Sequence, residues 1–235
     1  MTSWKALLLT AALCGLAAPA RPQSPSPGKG VHYVILVRHG AYVPDKNTDD
    51  RVAEGLNPLG HEQAHAVGER LAKLPIKIDA LVSSDFTRAR ESADDIGQAL
   101  HMEVARDSLI HECRPRSDRP DTTLELQQEA EACEADLAAA WQKYFQPTPA
   151  ADRHDVLVCH GNVIRWMVAR ALGADTKRWS KMDIANGSLT VIAVSPDGAT
   201  KLLMFSDVGH LALAQQTWLG VGNRWGMKPP LPAAK

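Results

Sequence analysis

An α/β fold, a three-layer sandwich around a mixed, mostly parallel sheet, is what this 235-residue sequence predicts. Three observations carry that reading. Short, continuous apolar runs of the kind buried on both faces alternate with helix-period stretches, as parallel α/β sheets require. Two of those runs end in a histidine followed by glycine, at His39-Gly40 and His160-Gly161. The last two strand-like runs flank a tight turn, which adds an antiparallel pair to the sheet.

Taken in order, Val31 to Val37 is the first buried strand. Asn57-Pro58 reads as an N-cap followed by proline at the first helical position, opening a helix that Pro75 closes after Leu74. Its apolar stripe is Ala64, Val67, Leu71 and Leu74. Ala80 to Ser84 is a short strand, and a helix follows from Asp85 to Leu100. Residues 124 to 145 form a long helix whose apolar face is Leu126, Ala130, Cys133, Leu137, Trp141 and Tyr144, with its acidic residues solvated. Asp155 to Cys159 is another buried strand, leading into a helix from Asn162 to Leu172 with Gly173 as its C-cap. Ser188 to Ser195 and Thr200 to Phe205 are paired strands around Pro196-Asp197-Gly198.

The ends differ from this pattern. A short basic start, an apolar stretch from Ala6 to Ala18 and the small-x-small triplet Ala18-Pro19-Ala20 read as a secretory signal at residues 1–20, cleaved after Ala20. Residues 21–30, rich in proline and glycine, form a linker, 31–213 the domain, and 214–235 a tail containing Trp218 and Trp225. Export to the periplasm or outside the cell is the expectation, with no stable membrane span after cleavage. Membrane anchoring through an uncleaved N-terminus is the alternative. After cleavage Cys113, Cys133 and Cys159 remain, too sparse a set for a disulfide framework, though one pair can form. A formal net charge of −1 argues against a nucleic-acid partner. A homo-oligomer is left open.

Chemistry concentrates at the strand ends. Ligand sites in open α/β sheets lie beyond the carboxyl ends of the strands. Arg38-His39-Gly40 places there a guanidinium fork for an oxyanion, an imidazole nucleophile or base, and a glycine that lets backbone approach. Cys159-His160-Gly161-Asn162 repeats that logic at a helix start, where free backbone N–H groups favour an anion. Adjacent parallel strands bring His39 and His160 to one edge. The segment Ser83 to Arg90 follows a third strand, and one of its arginines reaches the same place.

These residues match a known pattern. The chain resembles the histidine phosphatase superfamily, the phosphoglycerate-mutase-like fold, over about residues 31 to 210. The likeness rests on Leu36 to Gly40, Leu56 to Ala64, Ser83 to Arg90, His111-Glu112 and Cys159 to Arg165. Within the superfamily it is greatest to the mitochondrial phosphoglycerate-mutase-like serine/threonine protein phosphatases, through Asn162-Val163-Ile164-Arg165 and Asn186-Gly187-Ser188. The resemblance implies that His39 accepts the phosphoryl group, that Arg38, Arg88 and His160 complete the phosphate pocket, and that Glu112 is the proton donor, with Glu103 its rival. It also implies supporting roles for Gly40, Gly161, Asn162, Asp207 and His210. No metal or cofactor is implied. Mutases of the superfamily carry Glu-Ser and then Trp-Asn soon after Arg-His-Gly, whereas Ala41-Tyr42-Val43-Pro44-Asp45 follows here. That departure favours hydrolysis: a phosphoprotein as substrate, with a small phosphate ester such as a sugar phosphate as the alternative. An inactive phosphate-binding module is the reading from a different class.

Two further motifs are weighed against plain surface chemistry. His61-Glu62-Gln63-Ala64-His65 satisfies the zincin pattern, but it falls in the first turns of its helix without a third ligand, and is read as chance. Arg114, Arg116 and Arg119 lie in a mixed-charge loop read as solvated, with an anion-selecting rim as the sharper alternative.

Overall fold

The computed structural model describes residues 29–44, 47, 49, 55–119 and 123–217. Residues 1–20, nearly all of the expected linker, and Trp218 and Trp225 lie outside the described residues. Six strands form one sheet: β1 (His32–Arg38), β2 (Ala80–Ser83), β3 (Ala105–Arg106), β4 (Arg153–Cys159), β5 (Leu189–Val194) and β6 (Thr200–Asp207). Their order is β3-β2-β4-β1-β5-β6. The first four in that order are parallel, and β5 and β6 add antiparallel neighbours. The mixed, mostly parallel sheet is borne out.

Helices α1 (Pro58–Ala72) and α2 (Thr87–Leu100) cover one face, α3 (Leu124–Tyr144) and α4 (Gly161–Ala171) the other. The period of two along β1 makes this possible. Val34 and Leu36 enter the core beneath α3 and α4, whereas Ile35 and Val37 enter the core beneath α1 and α2. Asn57 caps α1 by accepting from the Gly60 N–H at 2.9 Å, with Pro58 behind it. Val67 and Leu71 are buried as the stripe requires, but α1 stops before Leu74, which is 39% exposed. On α3 the buried face is Ala130, Cys133, Leu137, Ala140 and Tyr144. Gly173 takes a left-handed φ of +65° just past α4, and Gly198 one of +85° in the hairpin turn.

Cys113 and Cys133 form a disulfide, pinning the segment after Glu112 to α3, and Cys159 stays free and buried. At the opposite end of the strands, Asp155 accepts from Arg153 Nε at 2.8 Å and contacts His32 Nε2 at 3.0 Å. The short strand β3 has no signal of its own in Ala105-Arg106; it exists because β2 offers an open edge.

Candidate active site

β2, β4 and β1 are parallel neighbours, so their carboxyl ends deliver Ser83-Ser84, Cys159-His160 and Arg38-His39 to one edge. The ladder continues past the strands: His39 N donates to Cys159 O at 3.0 Å and Ser84 N to Val158 O at 3.0 Å. The loop carrying His39 is held by partners from three other segments. Gly40 N donates to Ser92 Oγ at 2.9 Å, Ala41 N to Gln63 Oε1 at 2.8 Å, and Gly187 N to Arg38 O at 3.0 Å. Asn186 Nδ2 donates to His39 O at 3.1 Å. At Gly40 a Cβ would sit 2.3 Å from Gly60 O, so no other residue lets α1 approach this closely.

His39 is 1% exposed. Its Nδ1 donates to Gly40 O at 2.8 Å, which leaves Nε2 unprotonated, and Arg88 Nε donates to that nitrogen at 3.3 Å. Burial first, then the Arg38 and Arg88 charges, holds the ring well below the usual histidine range. A neutral imidazole with an unprotonated nitrogen held in a fixed direction is what a nucleophile requires. Arg88 is itself buried, its guanidinium 4.7 Å from the Tyr42 ring and 5.1 Å from the Phe86 ring.

The remaining candidates close around that nitrogen. The His160 ring lies 5.1 Å from the His39 ring, and its Nε2 meets Ser84 Oγ at 2.8 Å. Arg38 Nη1 donates to Ile184 O at 2.6 Å, which orients the guanidinium. Glu112 accepts from the Asn162 backbone N–H at the start of α4, and burial raises its carboxyl above the ordinary value against the pull of Arg38, Arg88 and Arg165. Five buried side-chain polar atoms among the described residues lack a hydrogen-bond partner, and three belong here: Arg38 Nε, His160 Nδ1 and Glu112 Oε1. Such atoms are costly unless a ligand satisfies them. An arginine N–H, an imidazole nitrogen and a carboxyl oxygen around the unprotonated His39 nitrogen suit a phosphoryl group with its leaving oxygen.

Glu103, the rival acid, is exposed ahead of β3 and lines a shallow groove with Asp94, Gln98 and Arg106, apart from these groups. Asn162 donates from Nδ2 to Cys113 O at 2.8 Å and accepts from Arg165 Nη2 at 2.5 Å, tying the Glu112 segment to α4. A Cβ on Gly161 would meet Arg38 Nε at 3.5 Å, an ordinary contact, so this glycine is not demanded by sterics alone. Asp207 and His210 lie outside the pocket. Arg70 donates to Asp207 Oδ2 at 2.6 Å and to His210 Nδ1 at 3.0 Å, and His210 Nε2 donates to Gly187 O at 3.0 Å. They therefore brace the turn that holds Arg38. Tyr42, Ser84, Phe86, Ser92 and Asn186 were not assigned roles from the sequence, because each acts through a contact distant in the chain. The zincin-like histidines go to separate carboxylates, His61 to Asp95 at 2.8 Å and His65 to Glu69 at 3.4 Å. Arg116 is bound by Glu134 at 2.7 Å, so an anion-selecting rim loses one of its three arginines.

Comparison with known proteins agrees with this geometry. The model of the histidine phosphatase superfamily (branch 1) matches residues 34–155 and 138–207. The mitochondrial serine/threonine-protein phosphatase PGAM5 of Homo sapiens is 33% identical over 191 residues, covering 78% of this chain and 65% of its own. Its Caenorhabditis elegans counterpart is 35% identical over 185 residues, covering 76% and 63%. The chain thus spans slightly under two thirds of the length of these two relatives. Among solved structures, phosphoglycerate mutase from Plasmodium falciparum is 24% identical with a TM-score of 0.56, over 78% of this chain and 96% of that one. A mycobacterial glucosyl-3-phosphoglycerate phosphatase is 20% identical with a TM-score of 0.52, over 75% and 99%. These two likenesses are of fold.

The relatives also correct one expectation. They are mitochondrial proteins by name, which overturns the reading of residues 1–20 as a signal cleaved after Ala20 and of the chain as periplasmic or secreted. The pattern misleads for a physical reason: one lysine ahead of a short apolar run is not specific to secretion, and alanine-rich sequence readily contains a small-x-small triplet. No helix among the described residues is long and apolar enough to cross a membrane. Strand-end histidines, paired arginines, the sheet order and the matched segments lead to one assignment: the chain belongs to the histidine phosphatase superfamily.

Proposed function

We propose that this chain is a phosphomonoester hydrolase that works through a phosphohistidine at His39. The observation that carries the reading is the unprotonated Nε2 of a buried His39, accepting from Arg88 Nε and ringed by unpartnered Arg38 Nε, His160 Nδ1 and Glu112 Oε1. His39 Nε2 attacks phosphorus as the bond to the leaving oxygen breaks. Arg38, Arg88 and His160 stabilise the equatorial oxygens. Protonated Glu112 gives its proton to the departing alkoxide. The resulting carboxylate then takes a proton from water as that water attacks phospho-His39, releasing inorganic phosphate and restoring both groups.

The substrate class we favour is a phosphorylated serine or threonine in a protein, supported by the names of relatives above 30% identity. Hydrolysis rather than transfer is supported by Ala41 to Pro44, which replace the residues mutases carry there. A small phosphate ester is the second reading, favoured by the depth of the nucleophile: His39 is 1% exposed and His160 0%. Turnover of p-nitrophenyl phosphate, lost in His39→Ala and insensitive to a chelator, supports the hydrolase. Absence of turnover under all conditions leaves a phosphate-binding module. Comparison of kcat/KM between phosphopeptides and sugar phosphates then decides the substrate class.

A further inference from the structure

Ser84 is fully buried at the end of β2, and no role has been attached to its hydroxyl. That hydroxyl oxygen sits 2.8 Å from His160 Nε2 and accepts from the Phe86 backbone N–H at 3.3 Å. Its proton must go somewhere. Its hydrogen-bond partners among the described residues are the Phe86 N–H, a donor, and His160 Nε2, so His160 Nε2 is the partner that can accept it. If instead Nε2 carried the proton and donated to Ser84, the hydroxyl oxygen would take two donors while its own proton stayed buried and unmade. His160 Nδ1, also buried, would then present a lone pair to phosphate oxygens that are themselves acceptors. Both faults vanish in the other arrangement.

We infer that Ser84 is a positioning residue: it donates to His160 Nε2 and thereby fixes the proton on Nδ1, turning the ring's unpartnered nitrogen into a donor for the phosphoryl group. Phe86 serves the same end, since its N–H occupies one lone pair of Ser84 Oγ and its ring packs edge-on against His160 with centroids 5.2 Å apart. His160 has a single proton to place, because burial and the adjacent His39, Arg88 and Arg38 keep it neutral. Which nitrogen holds that proton is set by the hydrogen bond the other nitrogen makes. His39 uses the same device in mirror image: Gly40 O takes the Nδ1 proton and leaves Nε2 unprotonated, accepting from Arg88 Nε. Two neutral histidines thus face one phosphoryl group with opposite tautomers, one as nucleophile and one as donor. The consequence for turnover rests on the phosphohistidine reading above; the tautomer itself does not.

Nitrogen-15 NMR of histidine-labelled protein tests this, with the His160 ring assigned by comparison with His160→Gln. The expected result is a protonated Nδ1 and a bare Nε2 in the unmodified chain at neutral pH. Ser84→Ala mixes the two tautomers and lowers kcat on p-nitrophenyl phosphate by about tenfold to a hundredfold. Ser84→Thr, which keeps the hydroxyl, restores the wild-type ring signature and part of the activity. A wild-type His160 protonated at Nε2 overturns the inference, as does a tautomer that Ser84→Ala leaves unchanged. If Ser84→Ala fails to fold, the wild-type spectrum still decides. If the wild-type chain turns over no phosphate ester, the functional reading fails while the tautomer measurement stands.

Discussion

At His39 and Glu112 burial pushes two ionisable groups in the directions their chemistry needs, the imidazole down and the carboxyl up. The signs fix a pH profile. As pH falls through the lowered His39 value, the nucleophile gains a proton and activity is lost; as pH rises through the raised Glu112 value, the acid loses its proton and activity is lost again. Glu112→Gln should therefore remove the alkaline limb. It should also lower kcat/KM, which reports phosphorylation of His39, on a phosphoserine peptide by about a hundredfold or more, and lower it less on p-nitrophenyl phosphate, whose leaving group needs no proton. Equal losses of kcat/KM on both substrates would count against Glu112 as the acid. At this scale Arg38, His39 and His160 could be seen in the sequence because each sits at the end of an apolar run. Ser84 and Asn186 could not, since their partners, His160 and His39 O, lie 76 and 147 residues away.

Among the elements, the strands and the first and last helices were readable from period and caps: Asn57-Pro58 opens α1 and Gly173 closes α4 as capping chemistry requires. The edge strand β3 was not, because two residues carry no period and pair only when β2 is already in place. Helix α2 begins at Thr87 without a side-chain cap, two residues past the expected Asp85, since Ser84 and Phe86 are committed to the site. The segment carrying Glu112 is fastened from both sides. Cys113 is joined to Cys133 on α3, and Trp179 Nε1 donates to Arg116 O at 2.9 Å. Reduction, or replacement of both cysteines by serine, should cost about 3 kcal/mol for a loop of 20 residues. For a domain of this size that lowers Tm by roughly 6–12 °C, readable by thermal melts with and without a dithiol. An unchanged Tm would show that the bond contributes nothing to the fold.

Across the whole molecule, the sheet separates chemistry from stability. The carboxyl ends of β1, β2 and β4 carry the candidate site, whereas the amino ends of β1 and β4 carry the cluster of His32, Arg153 and Asp155. Burial raises the Asp155 carboxyl, but hydrogen bonds from His32 and Arg153 outweigh it, so the net shift is downward. Its contribution to stability is therefore present above the unfolded-state value and lost as pH falls through the folded one. Asp155→Asn should destabilise the fold by about 3 kcal/mol and weaken its acid sensitivity, while leaving kcat unchanged in the folded fraction. Urea melts at several pH values check the first part, and a large kcat change would show that the two ends are coupled.

Family and fold class were legible in the sequence because five ordered segments converge on one sheet edge; location was not, since an apolar N-terminus serves more than one destination. The central claim is that His39 itself carries the phosphoryl group. Mixing the chain with a phosphorylated substrate, quenching in alkali within the first turnover and mapping the modification by mass spectrometry tests that most directly. The account predicts one acid-labile phosphoryl group on His39, absent in His39→Ala and long-lived in Glu112→Gln. A phosphoryl group on another residue, or turnover with none on the protein at any quench time, would contradict it.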